Sequence, residues 1–117
     1  MLVKFESETE NPIGIFDVDP KEVFEKRGDV VIVDVRGADE FHGDLGHVPG
    51  SELITLDVLA EALPSMQKDK TYVFVCRSGA RSSRAAAYAK SIGFDSVYNM
   101  AGGMLLWNEM GLEIGDE

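Results

Sequence analysis

Apolar and polar positions alternate along this chain in short runs whose period switches between strand-like and helix-like. Residues 30–35 (Val-Val-Ile-Val-Asp-Val) and 71–75 (Thr-Tyr-Val-Phe-Val) are almost continuously β-branched or aromatic. Such runs mark strands covered on both faces, as in a parallel sheet. Shorter runs at 13–16, 51–54 and 96–98 predict three further strands. Helical segments fall between them. Asp19-Pro20 supplies an N-cap and a first-turn proline for a helix that runs to about Lys26 and stops before Gly28. Residues 38–42 suit a short helix. Leu56, Leu59, Ala60 and Leu63 recur at helical spacing and end at Pro64. Residues 82–92 are rich in alanine, the best helix former, and stop at Gly93. Residues 100–110 predict a closing helix after Gly102-Gly103. Five strands alternating with helices imply an α/β fold, with helices on both faces of a largely parallel five-stranded sheet.

Composition narrows the picture. The chain has 117 residues, which suits one domain able to bury a core without disulfide or metal staples. Residues 1–12 are polar and acidic, with a turn at Asn11-Pro12, and predict a loosely ordered leader; 13–117 form the expected single domain. Twenty-one acidic residues against 11 basic ones give a net charge of −10. That charge repels phosphate backbones, so no nucleic acid is expected as a partner; it serves solubility or presents an acidic face to a basic protein. No apolar run is long enough to span a bilayer, and residues 1–12 lack the apolar core of a signal peptide, so no membrane partner is expected and the cytoplasm is the expected location. Cys76 is the only cysteine; it has no internal disulfide partner and fits a reducing compartment. His42 and His47 are too few for a zinc site, so neither metal nor cofactor is expected.

The chemistry concentrates where the second buried strand ends. Ligands of open parallel sheets bind at the carboxyl ends of the strands, and Cys76 stands at one. From there Arg77, Ser78, Gly79, Ala80, Arg81 and Ser82 lead into the alanine-rich helix. The unpaired N–H groups and partial positive charge of a helix start, with two arginines, favour an anion, and a thiolate is one. A free cysteine with a pKa near 8.5 is only about 3% thiolate at pH 7. Lowering that by about two units, worth ~2.7 kcal/mol, makes roughly three quarters of it thiolate. A buried core thiol is the plain alternative, but two arginines beside a core thiol serve no packing purpose. With no second cysteine, sulfur loaded on Cys76 has to be removed by an outside nucleophile. The loop holds no carboxylic acid to protonate a leaving group, which disfavours ester hydrolysis.

These residues resemble a rhodanese domain over about residues 16–112. Val33-Asp34-Val35-Arg36 with Glu40-Phe41 resembles the family's first signature, and Gly46-His47-Val48-Pro49-Gly50-Ser51 its Gly-His-Ile-Pro-Gly-Ala turn. Cys76-Arg77-Ser78-Gly79-Ala80-Arg81-Ser82 resembles its active-site loop, and Gly102-Gly103 with Trp107 its closing segment. The resemblance implies a rhodanese-like three-layer sandwich and a ping-pong sulfurtransferase. A small anionic donor such as thiosulfate would load Cys76 as a persulfide and leave as sulfite. The acceptor would be cyanide or a thiol, including a thiol of a partner protein. Loop N–H groups from Arg77 to Ser82 would hold the persulfide, and Arg77 and Arg81 would attract the donor. Asp34 and Arg36 are expected to form an ion pair supporting the loop. Glu40 is expected to be structural, and His47 to be a turn histidine bonding backbone. Gly102 and Gly103 are expected to permit close backbone approach, with Trp107 and Met104 in the core. Ser51 stands where the family usually has alanine, and residues 1–11 have no counterpart in the pattern. Two other activities are weighed: a non-catalytic binding module, and a phosphatase or arsenate reductase. The latter have a Cys-x5-Arg loop, whereas four residues separate Cys76 from Arg81 here.

Overall fold

The two β-branched runs lie side by side in the middle of a six-stranded sheet in the computed structural model, which describes residues 2–115. Met1, at the head of the expected leader, and Asp116 and Glu117, at the end of the expected domain, lie outside the described residues. The strands are β1 (Thr9–Glu10), β2 (Phe16–Val18), β3 (Val31–Asp34), β4 (Glu52–Leu53), β5 (Tyr72–Val75) and β6 (Val97–Met100). The helices are α1 (Pro20–Lys26), α2 (Ala38–Phe41), α3 (Leu56–Ala62), α4 (Ala80–Ser91) and α5 (Gly103–Glu109). The order across the sheet is β1-β2-β6-β5-β3-β4, parallel throughout except for the β1–β2 edge.

Strand alternation divides the core into two layers. Val33, Phe74 and Cys76 face α3 and α4 and meet Leu59, Ala85, Ala86 and Ala89. Ile32, Val73 and Val75 face the other way, towards Val23 of α1 and Met104 and Trp107 of α5. This is the expected three-layer α/β arrangement. The small side chains of α4 let its backbone lie close to β5, which brings its N-terminus against the end of that strand. Trp107 is fully buried, and its Nε1–H donates to Glu113 O at 2.9 Å.

Three expectations need correction. The five-strand reading omits β1, and the segment expected to be a loose leader is docked along its described length. Phe5 is 2% exposed and packs on Tyr98 at 4.8 Å between ring centres. The amides of Glu6 and Ser7 donate to the Glu22 carboxylate of α1 at 2.8 and 2.9 Å. Partners 15 and 16 residues away cannot be seen in an acidic local composition. The first strand is also displaced, from 13–16 to Phe16–Val18. Residues 11–15 form a turn closed by Asn11 N–H to Ile15 O at 2.8 Å, which leaves Ile13 53% exposed. The helix starts fall close to expectation. Asp19 caps α1 by accepting from Lys21 N–H at 2.8 Å. Pro64 lies in the 3-10 turn Leu63–Ser65 that ends α3.

Candidate active site

Cys76 directly follows β5 and is 1% exposed. The chain then turns back over the sulfur. Gly79, the N-cap of α4, has φ +103°, a conformation open to glycine at little strain. That turn aims backbone donors at Sγ: Gly79 N–H at 3.1 Å and Ser82 N–H at 3.4 Å, with the Ser82 hydroxyl at 3.3 Å. Burial pushes the thiol pKa up, but the Ser82 hydroxyl and the amides of Ser82, Gly79 and Ser78 outweigh it and hold Cys76 below its ordinary value. The start of α4 adds its partial positive charge in the same direction.

A second helix braces the loop from behind. Met104 N–H donates to Cys76 O at 2.9 Å and Leu105 N–H to Arg77 O at 3.0 Å. Gly103, at φ +57°, permits this approach: a Cβ there would lie 2.4 Å from the carbonyl oxygens of both Cys76 and Arg77. The expected close approach therefore belongs to Gly103. At Gly102 a Cβ would meet the Leu106 side chain instead.

The charged residues take different places. Arg77, Ser78 and Ala80 are exposed at the rim. Arg81 does not point freely outward as a donor-attracting cation; it forms a two-pronged pair with Glu40 of α2, both contacts at 2.9 Å. The Arg81 hydrogen bonds, opposed by burial and aided by the Gly37 amide, lower Glu40 to about 2. Residues 71–94 nevertheless hold four basic residues and no acidic one, so the loop and α4 form the basic region of an acidic chain. Asp34 and Arg36 are 0% and 1% exposed and make the expected ion pair, with Nε to Oδ1 at 2.9 Å and Nη2 to Oδ2 at 2.8 Å. Arg36 also donates to Gly46 O at 2.7 Å, tying the 46–51 turn to the end of β3. His47 is buried, stacked on Phe41 at 3.7 Å, with Nδ1 3.0 Å from Phe41 O, in keeping with a backbone-bonded turn histidine.

Sequence reasoning missed a polar chain behind the sulfur. The Ser82 hydroxyl meets Asn99 Oδ1 of β6, and Asn99 Nδ2 donates to Asp17 Oδ1 of β2 at 2.9 Å. Asn11 Nδ2 donates to the same Asp17 oxygen at 3.0 Å and to Ser83 Oγ at 2.8 Å. The available signal was a polar residue inside each of two apolar strands, since buried polar groups require partners.

Among the described residues, no group of three histidine, cysteine or acidic side chains is placed to hold a metal ion. No described helix is long and apolar enough to cross a membrane. A family model described as "Rhodanese-like domain" matches residues 19–110. The chain is 37% identical over 79 residues to a thiosulfate sulfurtransferase GlpE of Pseudoalteromonas translucida, covering 68% of this chain and 73% of that protein. It is 37% identical over 87 residues to the putative sulfurtransferase YtwF of Bacillus subtilis, covering 74% and 82%. A rhodanese-related protein of Thermoplasma volcanium superposes with a TM-score of 0.79 at 25% identity, covering 86% of this chain and 98% of that one. A rhodanese-like domain protein of Staphylococcus aureus does so with 0.71 at 33% identity, covering 85% and 97%. On the family match and these relatives together, the chain belongs to the rhodanese-like domain family.

Proposed function

We propose that this protein is a sulfurtransferase that carries sulfur as a persulfide on Cys76. The observation that carries the reading is the ring of loop donors around a buried sulfur at a strand end. These donors favour the thiolate, and they can equally hold a persulfide anion. The naming of similar proteins as sulfurtransferases supports the same class.

The reaction runs in two displacements. The Cys76 thiolate attacks the outer sulfur of thiosulfate, forming the Cys–S–S bond. The S–S bond of thiosulfate breaks and sulfite leaves with its electron pair. A thiophilic acceptor, cyanide or a thiolate, then attacks the terminal sulfur and Cys76 leaves as the thiolate. Arg77 at the rim and Arg84, which borders the groove beside Ser78, Gly79 and Ala80, attract the anionic donor. Asp34, Arg36 and Glu40 hold the surrounding turns in place. A phosphatase reading finds less support: Cys76 and Arg81 are separated by four residues, and Arg81 is committed to Glu40. An unpaired thiol with this duty suits a reducing compartment such as the cytoplasm.

The test is intact mass after incubation with thiosulfate, beside Cys76→Ser. The expected result is a gain of one sulfur atom, reversed by cyanide and absent from the variant. A folded wild type that gains no sulfur from thiosulfate or any other sulfane donor would overturn the reading and favour a binding module.

A further inference from the structure

The Ser82 hydroxyl has one hydrogen and two acceptors within reach, the Cys76 sulfur and Asn99 Oδ1. It cannot serve both. Which acceptor Asn99 offers is decided further back. Asp17 Oδ1 receives Asn99 Nδ2 at 2.9 Å and Asn11 Nδ2 at 3.0 Å. A carboxylate only accepts, so the Asn99 amide has to turn its NH2 to Asp17 and its oxygen to Ser82.

We propose that Asp17, acting through Asn99, is a positioning residue that draws the Ser82 hydroxyl hydrogen away from the Cys76 sulfur. With Asn99 so held, Ser82 donates to Asn99 Oδ1 and turns a lone pair towards Cys76. The protonated thiol then donates to Ser82. When the thiol proton leaves, the Ser82 O–H reaches the thiolate only by abandoning Asn99 Oδ1, a buried acceptor, so Ser82 lowers the Cys76 pKa less than an uncontested hydroxyl would. The backbone amides of Gly79 and Ser82 are unaffected by this competition and hold the thiolate in either state. Asp17 and Asn11 both lie ahead of residue 19, where the family match begins. Asn11, Asp17 and Asn99 also border a groove of about 450 Å³, through which water can reach Asn99 once Asp17 is shortened.

The other charged groups around Cys76 are Arg77 and Arg81 on its own loop and helix, Glu40 paired to Arg81 from α2, and the Asp34–Arg36 pair from the end of β3. α5 meets the loop through Gly103 and the Met104 and Leu105 amides. None of these is altered by a change at Asp17.

Two substitutions separate positioning from simple charge. Asp17→Asn removes the charge but keeps an oxygen that can accept from Asn99 and Asn11, so Asn99 stays as it is. Asp17→Ala removes the acceptor as well. Asn99 can then turn its amide over and donate to Ser82, whose hydrogen is released to the sulfur. The readout is the pH profile of iodoacetamide alkylation, with thiolate absorbance as a second probe. The expected result is a thiol pKa about one unit lower in Asp17→Ala than in Asp17→Asn, hence alkylation about tenfold faster on the acid side. In a Ser82→Ala background the two substitutions should titrate alike. Equal profiles for the two single variants, or a higher pKa in Asp17→Ala, would overturn the proposal. Should Asp17→Ala fail to fold, Asn99→Ala removes the competing acceptor directly, and an unlowered pKa there has the same force. The proposal rests on Cys76 acting as a reactive thiol, but its readout needs no sulfur transfer. Normal sulfur loading with equal profiles would sink the positioning role alone. Divergent profiles in a protein that accepts no sulfur would sink the sulfurtransferase reading alone.

Discussion

Gly103→Ala tests whether the closeness of α5 to the Cys76 loop is needed for both stability and reactivity. Two effects combine at this position. An L-residue at φ +57° is strained by about 1–2 kcal/mol. The new Cβ would also lie 2.4 Å from two carbonyl oxygens, far inside contact distance, so helix and loop must separate. Separation weakens the hydrogen bonds from Met104 N–H to Cys76 O and from Leu105 N–H to Arg77 O, each worth about 1 kcal/mol. The expected loss is therefore about 3–4 kcal/mol. Gly111→Ala is the internal control, because Gly111 has φ +70° but nothing within 4 Å of an added Cβ. It should lose only the strain of about 1–2 kcal/mol. Urea unfolding of the three proteins gives the difference, expected near 2 kcal/mol. Alkylation at neutral pH should slow in Gly103→Ala, since the loop shift moves the amides off the sulfur, and stay unchanged in Gly111→Ala. Equal destabilisation of the two variants would refute the clash argument. Undisturbed alkylation in Gly103→Ala would refute the link from α5 to the thiol.

Three other outcomes can be checked with the same assays. Asp34→Ala leaves the Arg36 guanidinium buried without its carboxylate, with an expected loss of about 3–5 kcal/mol in urea unfolding. Glu40, lowered to about 2 from an ordinary 4.5, contributes stability in full above the ordinary value and loses it as pH falls towards 2. The stability gap between wild type and Glu40→Gln should thus be present at neutral pH and close on acidification; the pair is partly exposed, so the gap is at most about 1 kcal/mol. Cys76 is held below its ordinary value, so wild type should gain stability over Cys76→Ala as pH rises from the folded pKa to the ordinary thiol range, and alkylate faster than free cysteine at neutral pH.

What the sequence made legible is what local composition determines. The central strands were visible because a strand buried on both faces must be apolar at every position, and Val31–Asp34 and Tyr72–Val75 nearly are. The start of α1 was visible because Asp19 and Pro20 act within one turn of themselves. The position of Cys76 at a strand end, entering a helix, follows from the same short-range pattern. The unread features all depend on distant partners. Glu40 and Arg81 are 41 residues apart, and Asp17 and Asn99 are 82 apart. In the sequence nothing ties either residue of a pair to its partner; only the parallel pairing of β2 with β6 sets Asp17 beside Asn99. The same pairing explains why the acidic N-terminal segment was misjudged. Composition counts its carboxylates, whereas its docking depends on Phe5 reaching Tyr98 and on Asn11 reaching Asp17 and Ser83. A segment can be rich in carboxylates and still be held in place when a few of its residues have buried partners, and here those partners lead to the loop that surrounds Cys76.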